Sequence, residues 1–306
     1  MPSFLDYPAS PSTKLIYLGH SGAGKTGSLV SLAAAGYNVR ILDLDNKAEI
    51  IRDYLFNPRS IYLRERPSLW TAEQAKTTAN RISFVTCTES FNIRGVKAVP
   101  RGDSWQKINQ LLNDWRDGDD KPGNLSKWLP TDILVIDSFS RLCEAAMNFQ
   151  LSLNGRLETG PAAGASSTND YAAAYRLIGD FLQLLKSSEI KCNVILICHI
   201  VFMEEPTGGG RQTTMTRTAK GFPQVFGRAM ISPTITQYFS HAIRAKSVGN
   251  EPSVKRTIIT NNDENVELIN TAPLRVPREY PLETGLAEYF RDIRATADGG
   301  QQTKPT

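Results

Sequence analysis

The stretch Gly19-His20-Ser21-Gly22-Ala23-Gly24-Lys25-Thr26 follows the spacing GxxxxGK[ST] and constrains this 306-residue chain more than anything else in it. Glycines at those positions let backbone N–H groups turn inward and approach phosphate oxygens, while the lysine reaches the outer phosphates and the hydroxyl reaches Mg²⁺. The context agrees. Lys14-Leu15-Ile16-Tyr17-Leu18 predicts a short strand before the loop, and residues 24–35 predict a helix after it, stopped at Gly36. The dipole of that helix favours the same anion. Gly19, Ser21, Gly22, Ala23, Gly24, Lys25, Thr26 and Gly27 are therefore the expected cradle for a nucleoside triphosphate, ATP, with Thr26 on Mg²⁺.

Strand and helix signals alternate beyond the loop. Strands are expected over 39–45, 82–87, 133–137 and 194–199. Asp103 and Gln106 resemble a capping box for a helix with Trp105, Ile108, Leu112 and Trp115 on one face. Tyr171, Tyr175, Ile178, Leu182 and Leu185 mark another amphipathic helix. Residues 235–245, 254–260 and 266–269 then read as strands without intervening helices. The pattern predicts an α/β fold: a P-loop core with a mainly parallel sheet flanked by helices, extended by antiparallel strands at the C-terminal end. Residues 1–12 read as a flexible arm, 13–295 as one domain and 296–306 as a disordered tail. Two polar stretches, 150–169 and 204–220, are too long for plain connectors, and loops of that length are usually functional or disordered.

Composition narrows the setting. A net charge of +4 and a pI near 8.8 admit a nucleic-acid partner without requiring one. Cys87, Cys143, Cys192 and Cys198 form no CxxC pair and no zinc-like spacing, so reduced core thiols are expected. No apolar run approaches the ~20 residues that span a bilayer, and the first residues show no export signal. A cytoplasmic protein without a membrane partner is expected, in a host's cytoplasm if the chain is viral.

Asp137 closes the apolar strand Ile133-Leu134-Val135-Ile136, where a carboxylate holds Mg²⁺ beside a P-loop. Ser138 follows it, not the glutamate that AAA+ motors use to activate water. The general base must come from elsewhere. Asp43 and Asp45 end the strand after the P-loop helix, near the same edge of the sheet; Asp45 is the first choice and Glu89 the runner-up. His199 ends another strand on the γ-phosphate side. Arg211, Arg217 and Lys220 lie in a Gly/Thr-rich segment with Arg228 close behind, a combination suited to salt-sensitive, sequence-neutral phosphate contacts.

In this order the motifs resemble RecA-like ATPases, and more specifically compact phage-encoded RecA-like proteins of single-strand annealing and recombination. The resemblance covers residues 13–293 and is carried by the P-loop, the Asp43/Asp45 strand, Asp137-Ser138-Phe139-Ser140-Arg141-Leu142 and Ile197-Cys198-His199. It implies assembly on single-stranded DNA as a filament or ring, with ATP at subunit interfaces and a single-strand DNA-binding protein as a further candidate partner. Asp45 stands where the family has its catalytic glutamate, and His199 where it has a glutamine that senses the γ-phosphate. Residues 204–220 would be the second DNA-binding loop, and 154–169 the first. A basic pair of the family reaches the neighbouring subunit's ATP; Arg275 is the match here, with Lys255 and Arg256 as alternatives. Besides an ATPase of recombination, the motifs admit a helicase, a helicase loader or a packaging accessory. A small-molecule kinase fits least, because the chain shows no arginine-rich lid.

Overall fold

The computed structural model describes residues 12–56, 71–94, 97–157, 166–207, 214–225, 232–249, 254–263 and 266–295. The expected arm, except Ser12, and the expected tail lie outside them.

Strand β1 (Lys14–Gly19) runs into the glycine loop, followed by α1 (Lys25–Ser28) and α2 (Val30–Ala34). The expected single helix is thus interrupted at Leu29, and Gly36, at φ 102°, ends it as expected. Then come β2 (Asn38–Asp43), α3 (Glu49–Phe56), α4 (Ala72–Ala79) and β3 (Ile82–Thr86). Hairpin β4 (Phe91–Arg94) and β5 (Lys97–Pro100) precedes α5 (Ser104–Asn113), and a second hairpin joins β6 (Trp115–Asp117) to β7 (Asp120–Gly123). Next are β8 (Asp132–Asp137), α6 (Phe139–Leu153), α7 (Thr168–Lys186) and β9 (Asn193–Cys198). The chain closes with β10 (Ile200–Thr207), β11 (Thr214–Pro223), β12 (His241–Val248), β13 (Lys255–Ile259), β14 (Glu279–Pro281) and α8 (Leu282–Arg294).

Eight strands form one sheet in the order β14-β13-β12-β1-β9-β8-β2-β3. Every pair from β12 to β3 is parallel, and β13 and β14 are antiparallel additions. The central strands are buried on both faces, and alternate residues feed two cores. Ile16, Leu18, Leu134 and Ile136 pack with Trp105, Phe139 and Phe181 on the face of α5–α7. Leu15, Tyr17, Ile133 and Val135 pack with Leu29, Tyr54 and Phe290 on the face of α1–α3 and α8. The expected architecture is therefore present. No helix among the described residues is long and apolar enough to cross a membrane.

Several local expectations are corrected. Asp103 is no capping box: its side chain makes no cap bond and instead accepts from the Ser90 amide. Trp115 is buried but sits on β6, past the helix end. The strand expected over 235–245 begins at His241, because Ser232–Tyr238 winds into a 3-10 turn that buries Ile235. Residues 266–269 make only isolated bridges, Val266 to Gly221 and Asp263, and Ile269 to Ala242. Strand β2 stops at Asp43, so Asp45 lies beyond it.

The largest correction concerns 204–220. These residues fall mainly on β10 and β11, paired antiparallel from Ile200↔Pro223 to Thr207↔Thr214. Threonines 214, 216 and 218 suit an extended backbone, so 204–207 and 214–220 form a ribbon in place of the expected loop, while 208–213 lies outside the described residues. Within 150–169, α6 extends to Leu153, and Ser167 caps α7 with a reciprocal Asp170 bond; 158–165 lies outside the described residues.

Candidate nucleotide site

The glycine loop leaves the sheet where β1 abuts β12. A side chain at Gly19 would press on the Ala245 carbonyl at 2.9 Å, so the close approach of the strands requires glycine. Gly22 and Gly24 take φ of 76° and 89°, which turns the loop back into α1. The buried Lys25 Nζ donates to the Gly19 and His20 carbonyls at 2.8 and 2.9 Å. Burial pushes its ammonium pKa down, against the pull of Asp137, Cys198 and Asp45.

Thr26 Oγ1 donates to Asp137 Oδ2 at 2.6 Å, joining the loop to the end of β8. Burial raises the Asp137 carboxyl to about 6, although the Thr26 bond opposes the rise. A hydroxyl and a carboxylate in contact at a phosphate cradle are hard oxygen donors of the kind Mg²⁺ takes, the remaining positions going to phosphate and water. The donor chemistry therefore fits that ion.

The two acids at and just past the end of β2 have different jobs. Asp43 pairs with Asp137 in register, yet its carboxylate accepts from the Lys47 and Ala48 amides at 3.2 and 3.0 Å and so holds the turn into α3. The Leu44 and Asp45 amides both donate to the Asp137 carbonyl, at 2.7 and 3.3 Å. That hook carries Asp45 over the end of β8 and into the cavity. Its carboxylate lies 3.4 Å from Arg141 Nε, 3.8 Å from His199 Nε2 and 3.9 Å from Lys47 Nζ. His199 first, then Lys47 and Arg141, hold it below the usual carboxylate range in spite of burial.

One cavity of about 360 Å³ is lined by residues 21–27 with Asp45, Lys47, Ile50, Asp53, Tyr54, Asp137, His199 and Arg256. Lys25, Thr26, Asp45, Asp137 and His199, separate in sequence, are thus brought together. Lys47, Asp53 and Tyr54 carry no motif and were not expected there. Arg256, expected as an alternative cation for a neighbouring subunit, lines the cavity of its own chain. Glu89 lies outside it, in an adjoining cavity, with its carboxylate accepting from the Asp103 amide at 2.9 Å and its pKa raised chiefly by burial.

The other expected residues are elsewhere. Arg275 is exposed and donates to the Ala295 carbonyl, and Lys255 pairs with Glu279 at 3.1 Å. Arg217 and Lys220 fall on β11, while Arg211 and Arg228 lie outside the described residues. The ribbon nevertheless meets the site: Phe202 on β10 stacks on His20 of the glycine loop, ring centres 6.2 Å apart.

No family model matches the chain, and no curated protein is significantly similar to it. Among solved structures, the RadB recombinase is 13% identical, with 84% of this chain and 83% of that one covered and a TM-score of 0.44. A KaiC-like protein of the hyperthermophilic archaeon Pyrococcus horikoshii is 15% identical, covering 81% and 78%, with a TM-score of 0.37. The flagellar accessory protein FlaH of Methanocaldococcus jannaschii is 12% identical, covering 89% and 87%, also at 0.37. Likenesses this distant carry no argument about activity. The α/β assignment stands on the strand order and on the loop at the end of β1.

Proposed function

We propose that the chain is a RecA-like P-loop ATPase that binds ATP with Mg²⁺ and acts on single-stranded DNA in recombination or annealing. The observation that carries the reading is the meeting of Lys25, Thr26, Asp45, Asp137 and His199 in one cavity at the carboxyl edge of the sheet. Mg²⁺, held by Thr26 and Asp137, would neutralise phosphate charge. Lys25 binds the outer phosphates. Asp45, kept ionised and next to His199, accepts a proton from the water that attacks the γ-phosphorus, leaving ADP and phosphate. His199 reads the γ-phosphate from the start of the ribbon.

The DNA assignment draws on Arg217 and Lys220 of β11, on Arg211 and Arg228 as neighbours in sequence, and on the His20–Phe202 stack that links the ribbon to the glycine loop. Assembly on DNA as a homo-oligomer places Arg275, exposed near the chain's end, as the cation offered to a neighbouring subunit. ATP turnover measured with and without single-stranded DNA tests the reading, with Lys25→Ala as control. Stimulation by DNA that vanishes in Lys25→Ala is expected. Hydrolysis without stimulation and without ATP-dependent DNA binding overturns the DNA assignment; no hydrolysis at all overturns the ATPase.

A further inference from the structure

We propose that Arg141 is a positioning residue for Asp45, fixing the carboxylate from behind the nucleotide cavity. The inference rests on the reading of Asp45 as the proton acceptor. Asp45 has a short side chain beyond the end of β2, so its placement depends on what grips it. Three grips are visible. Its amide is tied to the Asp137 carbonyl. One oxygen, Oδ2, faces His199 and Lys47 from the cavity side. The other, Oδ1, faces Arg141 Nε at 3.4 Å.

Arg141 does not line the nucleotide cavity. It lines the adjoining cavity of about 290 Å³, and Asp45 is the residue that lines both. Arg141 therefore acts on the reaction through Asp45. Its fork reaches two carboxylates at once: Nη1 meets Glu144 Oε2 at 2.5 Å while Nε faces Asp45. Glu144, one turn along α6, thereby sets the direction of the guanidinium. A lysine ammonium, a point charge without that fork, reproduces only part of this. The side chain of Arg141 is 56% exposed, so these ion pairs contribute little to stability, and what they supply is orientation.

ATP hydrolysis by Arg141→Met, Asp45→Asn and the double variant tests this. Arg141→Met is expected to lower kcat roughly ten- to 100-fold, the upper end being what a misplacement of about 1 Å costs, with KM and ATP affinity unchanged. Arg141→Lys restores part of the loss and serves as the readout should the methionine variant fail to fold. In the Asp45→Asn background, Arg141→Met should add nothing, because a positioning residue has nothing left to position. A wild-type rate in Arg141→Met, or independent effects that multiply in the double variant, overturns the proposal. Full activity in Asp45→Asn itself overturns the reading of Asp45 instead, and the inference with it.

Discussion

The parallel half of the sheet and its antiparallel extension reach the same cavity by opposite routes. Parallel strands all present their carboxyl ends at one edge, so the glycine loop after β1, Asp137 on β8 and His199 after β9 arrive there as strand ends. Strand β13 runs the other way, and its first residues arrive at that edge: Lys255 pairs with Val248 and Arg256 with Ser247. A group on the parallel side is placed by where its strand stops. A group on the extension is placed by register alone, and a slip of one residue would turn Arg256 to the other face.

The largest effect expected from disturbing the parallel half is at Gly27. A methyl group there would overlap the ring of Tyr54, which α3 lays against α1. Gly27→Ala should therefore destabilise the protein by about 1–3 kcal/mol, the usual cost of overpacking, in urea unfolding. Tyr54→Leu in the same chain should recover most of it. Unchanged stability in Gly27→Ala would mean that Tyr54 is not held against the helix.

On the extension, Arg256→Ala tests register against strand end. Loss of a charged hydrogen bond to phosphate costs about 1.5–3 kcal/mol, so ATP affinity should fall roughly ten- to 100-fold in a protein too dilute to assemble. Arg275→Ala should leave that affinity intact and reduce only turnover that depends on assembly. Equal affinity in Arg256→Ala and wild type would remove Arg256 from the site; an affinity loss in dilute Arg275→Ala would place that residue in its own chain's cavity instead.

The same contrast explains what was legible in the sequence. The glycine loop is contiguous and its chemistry is in its residue types, so Lys25 and Thr26 were readable directly. Asp137 and His199 were readable because an unbroken apolar run ends at each. Asp45 lies at the expected edge but not as a strand end: the strand stops at Asp43, and the hook onto the Asp137 carbonyl brings Asp45 in. The ribbon β10–β11 reads as a loop because Glu204-Glu205-Pro206 and the Arg217, Thr216 and Met215 paired with them show no apolar alternation; backbone pairing outside the main sheet leaves little trace in hydropathy. Tyr54 left no motif at all, and Arg256 was legible only as a cation for a neighbouring subunit, since contacts between distant segments bring both to the cavity.

The smallest effect expected distinguishes the buried strand-end acid from the slightly exposed acid beside it. Burial raises Asp137 to about 6, whereas His199 and the nearby cations hold Asp45 low. An unfolded carboxyl ionises near 3.9, so between about pH 4 and 6 Asp137 holds more proton in the folded metal-free protein, and its own contribution to stability falls as the pH rises. Mg²⁺ needs the ionised form and must displace that proton. Below about pH 6 its affinity should fall tenfold for each pH unit, with one proton released per ion bound. Calorimetric titration of Mg²⁺ into the ATP complex at pH 5 and 7.5 measures this. It is read as the difference between wild type and Asp137→Asn, so that the nucleotide's own titration cancels. A pH-independent difference would show that Asp137 is already ionised when the ion arrives, and that the Thr26 hydrogen bond outweighs the burial of the strand end.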